Sequence, residues 1–440
     1  MRRYVMIGSG VASIAAIEAI RSVDASGEVL LIGDEAHGFY SRPGLAFYLT
    51  GELTEEQLYP WREVDFKARN IHRLHNRVAL IEPEEHVIRL QTGSRLSFDR
   101  LLIAVGAEAQ VVNVPGAALE GVVKLDNLDD AHRILKLARR NRTAVVVGGG
   151  ITALEIVEGL VQRGIKPHYF LRGDRYWSNV LDETESKIVE NRLRGEGVKI
   201  HYQTELDEIL GKGGRVAGVR TKDGRIIPCD LVAVAIGIRA RTGLAKASGV
   251  QFERGVIVNQ TLETSASDVF AAGDVAQVFD PLTGKSQMDT LWSPARDQGY
   301  VAGLNMAGIT TPYCKAAPFN VTRLADLTTT IIGMVGRGED KDVVGIVRGD
   351  SETWRQLPDA IAAQADFDVN RLRVLVGQNT LLGGLLMGDQ TLSRPLQQLV
   401  VDKADITPIR GQLLQPGARL GDILADFWAI WKARHAVTAH

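Results

Sequence analysis

Two glycine-rich segments carry the clearest chemistry in this 440-residue chain: Gly8-Ser9-Gly10-Val11-Ala12-Ser13 and Gly148-Gly149-Gly150-Ile151-Thr152-Ala153. In each, the first glycine permits a tight turn and the second lets backbone approach a pyrophosphate. The last position must be small so that a helix can pack closely on a strand. Ser13 and Ala153 meet that need, because packing requires small size rather than glycine itself. Phosphate oxygens placed at such a turn face unpaired N–H groups and the positive end of a helix dipole.

The elements around both segments have the same order. Tyr4–Ile7 and Ala144–Val147 read as buried β-runs, and helical stretches follow the glycines to about Arg21 and Val161. Second β-runs come at Val29–Ile32 and His168–Leu171, completing two βαβ units. Further buried runs at 100–106 and 230–237 stop at Gly106 and Gly237. Each follows a hairpin-like polar stretch, 86–98 and 216–227. The expected class is α/β, with two Rossmann-like dinucleotide-binding domains.

Composition narrows the chemistry. Lys plus Arg number 51 and Asp plus Glu 53, a net charge of −2, so no global field draws nucleic acid or an anionic membrane. Two cysteines, Cys229 and Cys314, cannot make a four-thiolate cluster, a CxxC pair or a disulfide framework, and no metal site is expected. The apolar run after Arg2-Arg3 breaks at glycine, too short for a signal peptide, and no stretch reaches membrane-span length. An unprocessed cytoplasmic protein is expected.

With these residues in view, the chain resembles the two-dinucleotide-binding-domain flavoproteins of the pyridine nucleotide–disulfide oxidoreductase superfamily, closely over 1–308 and loosely beyond. The resemblance implies FAD at the first fingerprint (Gly8, Gly10, Val11, Ala12, Ser13) and NAD(P)H at the second (Gly148, Gly150, Ile151, Thr152), with Gly237 beside it. It adds Ala104 and Gly106 to the FAD set. Gly273-Asp274, ending the run from Thr264, matches the second FAD motif, where the aspartate accepts a hydrogen bond from the ribityl chain. Tyr40-Ser41-Arg42-Pro43-Gly44-Leu45 resembles a segment of ferredoxin and rubredoxin reductases and of nitrite-reductase flavoproteins, whose arginine lies along the FAD pyrophosphate. A planar guanidinium suits that place, making Arg42 and the adjoining Pro43 cofactor contacts. Asp34, preferred, or Glu35 stands where the ribose acid belongs, some twenty residues after the fingerprint.

Several positions depart from the family pattern. Disulfide-reducing members carry a cysteine around 40–45, where Pro43 and Gly44 stand here, and the carboxy end 436–440 lacks their His-Pro-Glu motif. Thiol relay chemistry is therefore not expected. Glu155 matches a glutamate near the nicotinamide and flavin, but its usual lysine partner is replaced in Ala46-Phe47-Tyr48. Glu155 thus either orients the carboxamide alone or has another partner. Leu171 occupies the place of the NADH-binding acid and Arg172 follows, which either pairs with a 2′-phosphate of NADPH or only solvates a strand end.

From about Pro312 the pattern changes to strands at 328–335, 372–376 and 381–389, the last running into 396–400. This resembles the family's α+β interface domain, often a dimer contact. The implied boundaries are 1–112 with 239–310 for FAD, 113–238 for NAD(P) and 311–440 for the interface domain. Trp292, opening a segment like the family's helix start beside the flavin, either adjoins the ring or is core. Over 420–435 an aromatic stripe includes Trp428 and Trp431 and is expected to pack on its own protein or a dimer mate, membrane docking being the lesser reading. The resemblance implies an FAD-dependent NAD(P)H oxidoreductase serving a ferredoxin- or rubredoxin-like protein, as a homodimer or a subunit of a larger redox complex. Its rivals are a quinone reductase of the type II NADH dehydrogenase kind and an NADH-responsive redox sensor.

Overall fold

The computed structural model describes residues 1–140, 142–280, 284–333, 335, 344–348, 371–415 and 418–436. Met334 of the strand expected at 328–335 and the terminal residues 437–440 lie outside that set. The chain forms two compact units. The first gathers Met1–Asn113, Gly121–Arg140 and Val234–Lys315, and the second Val114–Glu120, Asn141–Ala233 and Ala316–His440.

The first unit is built on a parallel sheet with strands in the order Val269–Ala271, Arg100–Ile103, Arg3–Ile7, Glu28–Gly33, Ile71–His75. Tyr4, Val5, Met6 and Ile7 are all buried, as a central parallel strand covered on both faces requires. The crossover helix Val11–Val23 packs against the helix Trp292–Met306 at unusually close range. A Cβ on Gly299 would stand 2.1 Å from Ala12 O, and one on Gly303 2.3 Å from Ala16 O. Small residues four apart on both helices allow this approach. The 86–98 stretch is a hairpin, Val87–Leu90 with Arg95–Ser97, as its Gly93 turn foretells.

In the second unit, strands run in the order Lys199–His201, His168–Phe170, Ala144–Val147, Leu231–Val234, the first three mutually parallel. The helix Ile151–Gln162 provides the crossover. Arg215–Thr221 pairs with Leu206–Lys212 and Ile226–Ile227 in an antiparallel sheet. Beyond it lies an antiparallel sheet of Phe319–Leu324, Leu327–Gly333, Leu381–Met387, Arg371–Val376 and Val344–Arg348. Helices Ser393–Val401, Thr407–Leu413 and Leu420–Ala436 share a core with it. The aromatic stripe faces that core: Leu420 and Leu424 are buried, Phe427, Trp428 and Trp431 pack beside them, and Trp428 Nε1 donates to Gln398 Oε1 at 2.7 Å.

Candidate functional site

In the first unit a cavity of about 1140 Å³ opens at the carboxyl ends of the parallel strands. That is the region where ligands bind in open α/β sheets, and the volume suits a dinucleotide-sized ligand. Gly8 forms the turn below it: its N–H donates to Ile32 O at 2.7 Å and its φ is +107°. A Cβ there would fall 2.2 Å from Ala104 O, so only glycine fits. Gly10 caps the helix with no side-chain acceptor, and a Cβ added to it meets nothing within 4 Å. Helix N–H groups are thereby left facing open space for an anion. Ser13 Oγ donates to Gly8 O at 2.5 Å, which fixes the turn from below.

Of the residues singled out for FAD, Gly8, Gly10, Asp34, Glu35, Arg42, Ala104, Gly106 and Asp274 line this cavity. Val11, Ala12 and Ser13 begin the helix behind it, and Pro43 caps the helix Gly44–Thr50. Gly273 precedes the lining residue Asp274, and its N–H donates to Gln298 Oε1 at 2.8 Å. Trp292 stacks on Phe39 at 6.0 Å and packs against the core.

Arg42 is held by Glu35 and by the carbonyl of Asp126, to which it donates at 2.5 Å. Burial pulls its pKa down, but the Tyr40 and Glu35 side chains and Asp126 more than offset that and raise it. The Tyr40 hydroxyl donates to Glu35 at 2.8 Å and accepts from the Leu128 N–H at 3.2 Å. Asp34 points to Arg77 at 3.8 Å, and its carboxylate is about half exposed. Asp274 is pushed up to about 6, chiefly by burial, with Asp289 and Asp126 adding and Arg42 opposing. Asp126 and Arg241, paired at 3.0 Å, also line the cavity, and sequence reasoning missed both. No local pattern marks them, because they lie 115 residues apart.

The second unit repeats the turn. Gly148 has φ +149° and its N–H donates to Phe170 O at 3.3 Å, the counterpart of the Gly8–Ile32 bond. Gly150 caps the helix Ile151–Gln162 without a side-chain bond, again with open space at its Cβ. Ile151 and Thr152 are half-buried on its first turn. Loss of solvation pushes Glu155 up to about 7, and no ion-pair partner stands beside it among the described residues. Leu171 is buried at the strand end and Arg172 exposed, with Glu205 feeling its charge. Gly237 falls in the first unit, where its carbonyl accepts from the Gln110 N–H at 2.9 Å. Cys229 is buried with its thiol pushed up to about 12 by burial, Cys314 is exposed, and neither lines the cavity.

Two glycine turns at the carboxyl ends of parallel strands, each followed by an uncapped helix, define a protein built on two dinucleotide-binding folds. The sequence profile of the pyridine nucleotide-disulphide oxidoreductase family matches residues 2–299, and the chain belongs to that family. Its cofactors are FAD and NAD(P)H. The open Gly10 position, the uncapped helix start and the guanidinium of Arg42 in the cavity fit the phosphates of FAD.

The chain is 28% identical over 431 residues to the NADH-dependent phenylglyoxylate dehydrogenase subunit epsilon of Aromatoleum evansii, spanning 97% of this chain and 98% of that one. It is 32% identical over 352 residues to the NAD(P)H sulfur oxidoreductase (CoA-dependent) of Pyrococcus furiosus, covering 78% of each. In fold it is similar to the ferredoxin reductase for the CYP199A2 system from Rhodopseudomonas palustris. The TM-score is 0.85 at 24% identity, over 97% of this chain and 99% of that one.

Proposed function

We propose that this chain is an FAD-dependent NAD(P)H oxidoreductase that exchanges electrons with a ferredoxin- or rubredoxin-type protein. When bound, FAD converts a hydride's electron pair into single electrons suited to an iron–sulfur partner. The protein's part is positional. Gly8 and Gly10 admit the pyrophosphate to the helix start, Arg42 neutralises it, Asp34 takes the ribose hydroxyls and Asp274 the ribityl chain. In the second unit Gly148 and Gly150 do the same for the nicotinamide dinucleotide, and Glu155 orients the carboxamide. Positioning of this kind supplies most of what hydride exchange needs, since no acid or base has to act. The boundaries 1–112 with 239–310, 113–238 and 311–440 describe the FAD, nicotinamide and interface parts in this reading.

The observation that carries the proposal is the FAD-fitting cavity with Arg42-Pro43-Gly44 where disulfide-reducing members place a cysteine, and with no thiol in its lining. Without a thiol relay, electrons must leave to an external acceptor. Support comes from relatives named as ferredoxin–NAD(+) reductase components, such as that of the biphenyl dioxygenase system of Paraburkholderia xenovorans, 29% identical over 80% of this chain. Anaerobic stopped-flow mixing of the holoprotein with NADH and with NADPH, then with ferredoxins, tests it. Flavin bleaching followed by ferredoxin reduction is expected. If neither nucleotide bleaches the flavin, the proposal fails.

The near full-length likeness to subunit epsilon favours a second form of this reading, in which the chain is the pyridine-nucleotide subunit of a larger iron–sulfur enzyme. Copurifying iron–sulfur subunits, with loss of the assembly's nucleotide-dependent activity on their removal, would distinguish it from a free-standing reductase. A quinone reductase anchored by its last helix is disfavoured, because that helix turns its aromatic residues into its own core. Among the described residues no helix is long and apolar enough to cross a membrane, and we place the protein in the cytoplasm as part of this proposal.

A further inference from the structure

Three side chains of the first unit that are not among the residues assigned to FAD come together at the edge of the cavity, whose lining includes Asp129. His37 lies in the segment between Glu35 and Tyr40, while Asp129 and His132 sit three apart on one face of the helix Leu128–Leu137. One ligand atom of each lies within 4.8 Å of the other two, and His37 Nε2 is 2.9 Å from Asp129 Oδ1. Glu55 Oε2 stands 2.7 Å from His132 Nε2 and accepts a hydrogen bond from the Tyr48 hydroxyl. The two imidazoles face each other edge to face at 6.0 Å.

Charge points the same way. Lys124, Arg42 and Arg241 are engaged by Asp126, Asp130 and Glu35. Among the described residues no lysine or arginine pairs with Asp129 or Glu55, whose only charge partners are the two histidines. Two carboxylates and two imidazoles without a fixed cation make a donor set of borderline softness. Zinc-class divalent ions prefer such nitrogen and oxygen ligands, whereas magnesium and calcium favour oxygen alone.

We propose that His37, Asp129 and His132 bind one zinc-class divalent cation, with Glu55 as the carboxylate that orients the His132 ring. Zinc bonds of 2.0–2.2 Å put neighbouring tetrahedral ligands roughly 3.3 Å apart. The three donor atoms, all within 4.8 Å of one another, lie at most about 1.5 Å beyond that spacing. Asp129 is 69% exposed and His132 38%, and Asp129 also lines the cavity, so the cluster is reachable from outside the core. The ion would join the segment that carries Glu35 and Arg42 to the helix whose first turn borders the cavity.

The test uses the flavin-loaded full chain, treated with chelator, desalted and titrated with Co²⁺ and then Zn²⁺. One Co²⁺ per chain is expected, with ligand-field bands to the red of the flavin absorption that zinc displaces. His37→Ala and His132→Ala should each weaken binding at least tenfold. Glu55→Gln should weaken it by about tenfold, in the range seen for outer-shell carboxylates. His168→Ala/His201→Ala removes the stacked histidine pair of the second unit, at 5.0 Å, and should leave the titration unchanged. Asp129→Asn, at the most exposed ligand, serves if a histidine variant fails to hold flavin. Absence of saturable binding in the parent protein overturns the proposal. So does unchanged affinity in His132→Ala and Asp129→Asn, or loss of binding in the His168/His201 variant.

Discussion

Glu158 is buried on the helix Ile151–Gln162, and among the described residues its Oε1 has no hydrogen-bond partner, nor do the Tyr169 and Tyr176 hydroxyls, whose fields act on one another. Burial pushes Glu158 up to about 8, despite the opposing charge of Arg323. A carboxyl raised in the folded state contributes stability fully present below about pH 4.5, its ordinary value, and lost as pH rises through 8. Glu158→Gln should therefore match the parent protein near pH 5 and exceed it at pH 9. The gap should grow by at most about 1.4 kcal/mol per pH unit. Urea unfolding across that range would measure it, and parallel curves would show that Glu158 is ionised throughout. Arg172 offers a second residue-scale prediction. If it meets a 2′-phosphate, Arg172→Glu should lower kcat/KM for NADPH relative to NADH by about ten- to a hundredfold, the worth of one charged hydrogen bond. An unchanged ratio leaves Arg172 as a solvated strand end. Arg42, Asp274 and both fingerprints were legible because each sits in a contiguous motif. Asp126 and Arg241 were not, because only the folded chain brings them together.

The two glycines of one turn do different work, and substitution should separate them. Gly8→Ala drives a Cβ into the Ala104 carbonyl at a φ of +107°, so it should cost on the order of 1–3 kcal/mol even without ligand. Gly10→Ala meets nothing in the folded chain and should leave apoprotein stability within about 0.5 kcal/mol. It intrudes on the phosphate path instead, so flavin should be lost on gel filtration. Apoprotein denaturation and the absorbance ratio of the purified holoprotein read these two effects separately, and equal destabilisation by both would refute the distinction. Strand–turn–helix units were readable because a parallel strand buried on both faces is a continuous apolar run. The close contact of Val11–Val23 with Trp292–Met306 left a fainter trace, Ala12 and Ala16 against Gly299 and Gly303, and only the structure shows that these spacings face each other.

Across the whole second unit, one buried charge network ties segments far apart in sequence. Asp182 and Glu185 form a capping box at the start of the helix Glu183–Gly195. Glu185 Oε1 also accepts from Arg373 Nε at 2.9 Å, and Asp182 from Arg371 Nη2 at 2.8 Å, both arginines lying on the strand Arg371–Val376. Glu185 is fully buried and Arg373 nearly so. Glu185→Ala would remove the carboxylate that balances the buried Arg373 charge, leaving its Nη1 and Nη2 on the Val335 and Val180 carbonyls, and should cost about 3–5 kcal/mol, measured by chemical denaturation. A loss below about 1 kcal/mol would mean that water or Asp182 takes over. Nothing in the sequence announced this pairing, since 188 residues separate the partners and arginines in a strand read as solvent-facing.

The order of strands in the first unit bears on how the protein is made. Arg100–Ile103 lies between Arg3–Ile7 and Val269–Ala271, so the sheet is incomplete until the last of these has left the ribosome. At about 5–20 residues per second, the interval between synthesis of those two strands is on the order of ten to thirty seconds. Throughout it, Leu101 to Ile103 present an unpaired, fully apolar edge to the cytosol of whatever cell makes them. Nascent chains at this stage are natural clients for a chaperone, and overexpression should trap them as aggregates before mature enzyme ever forms.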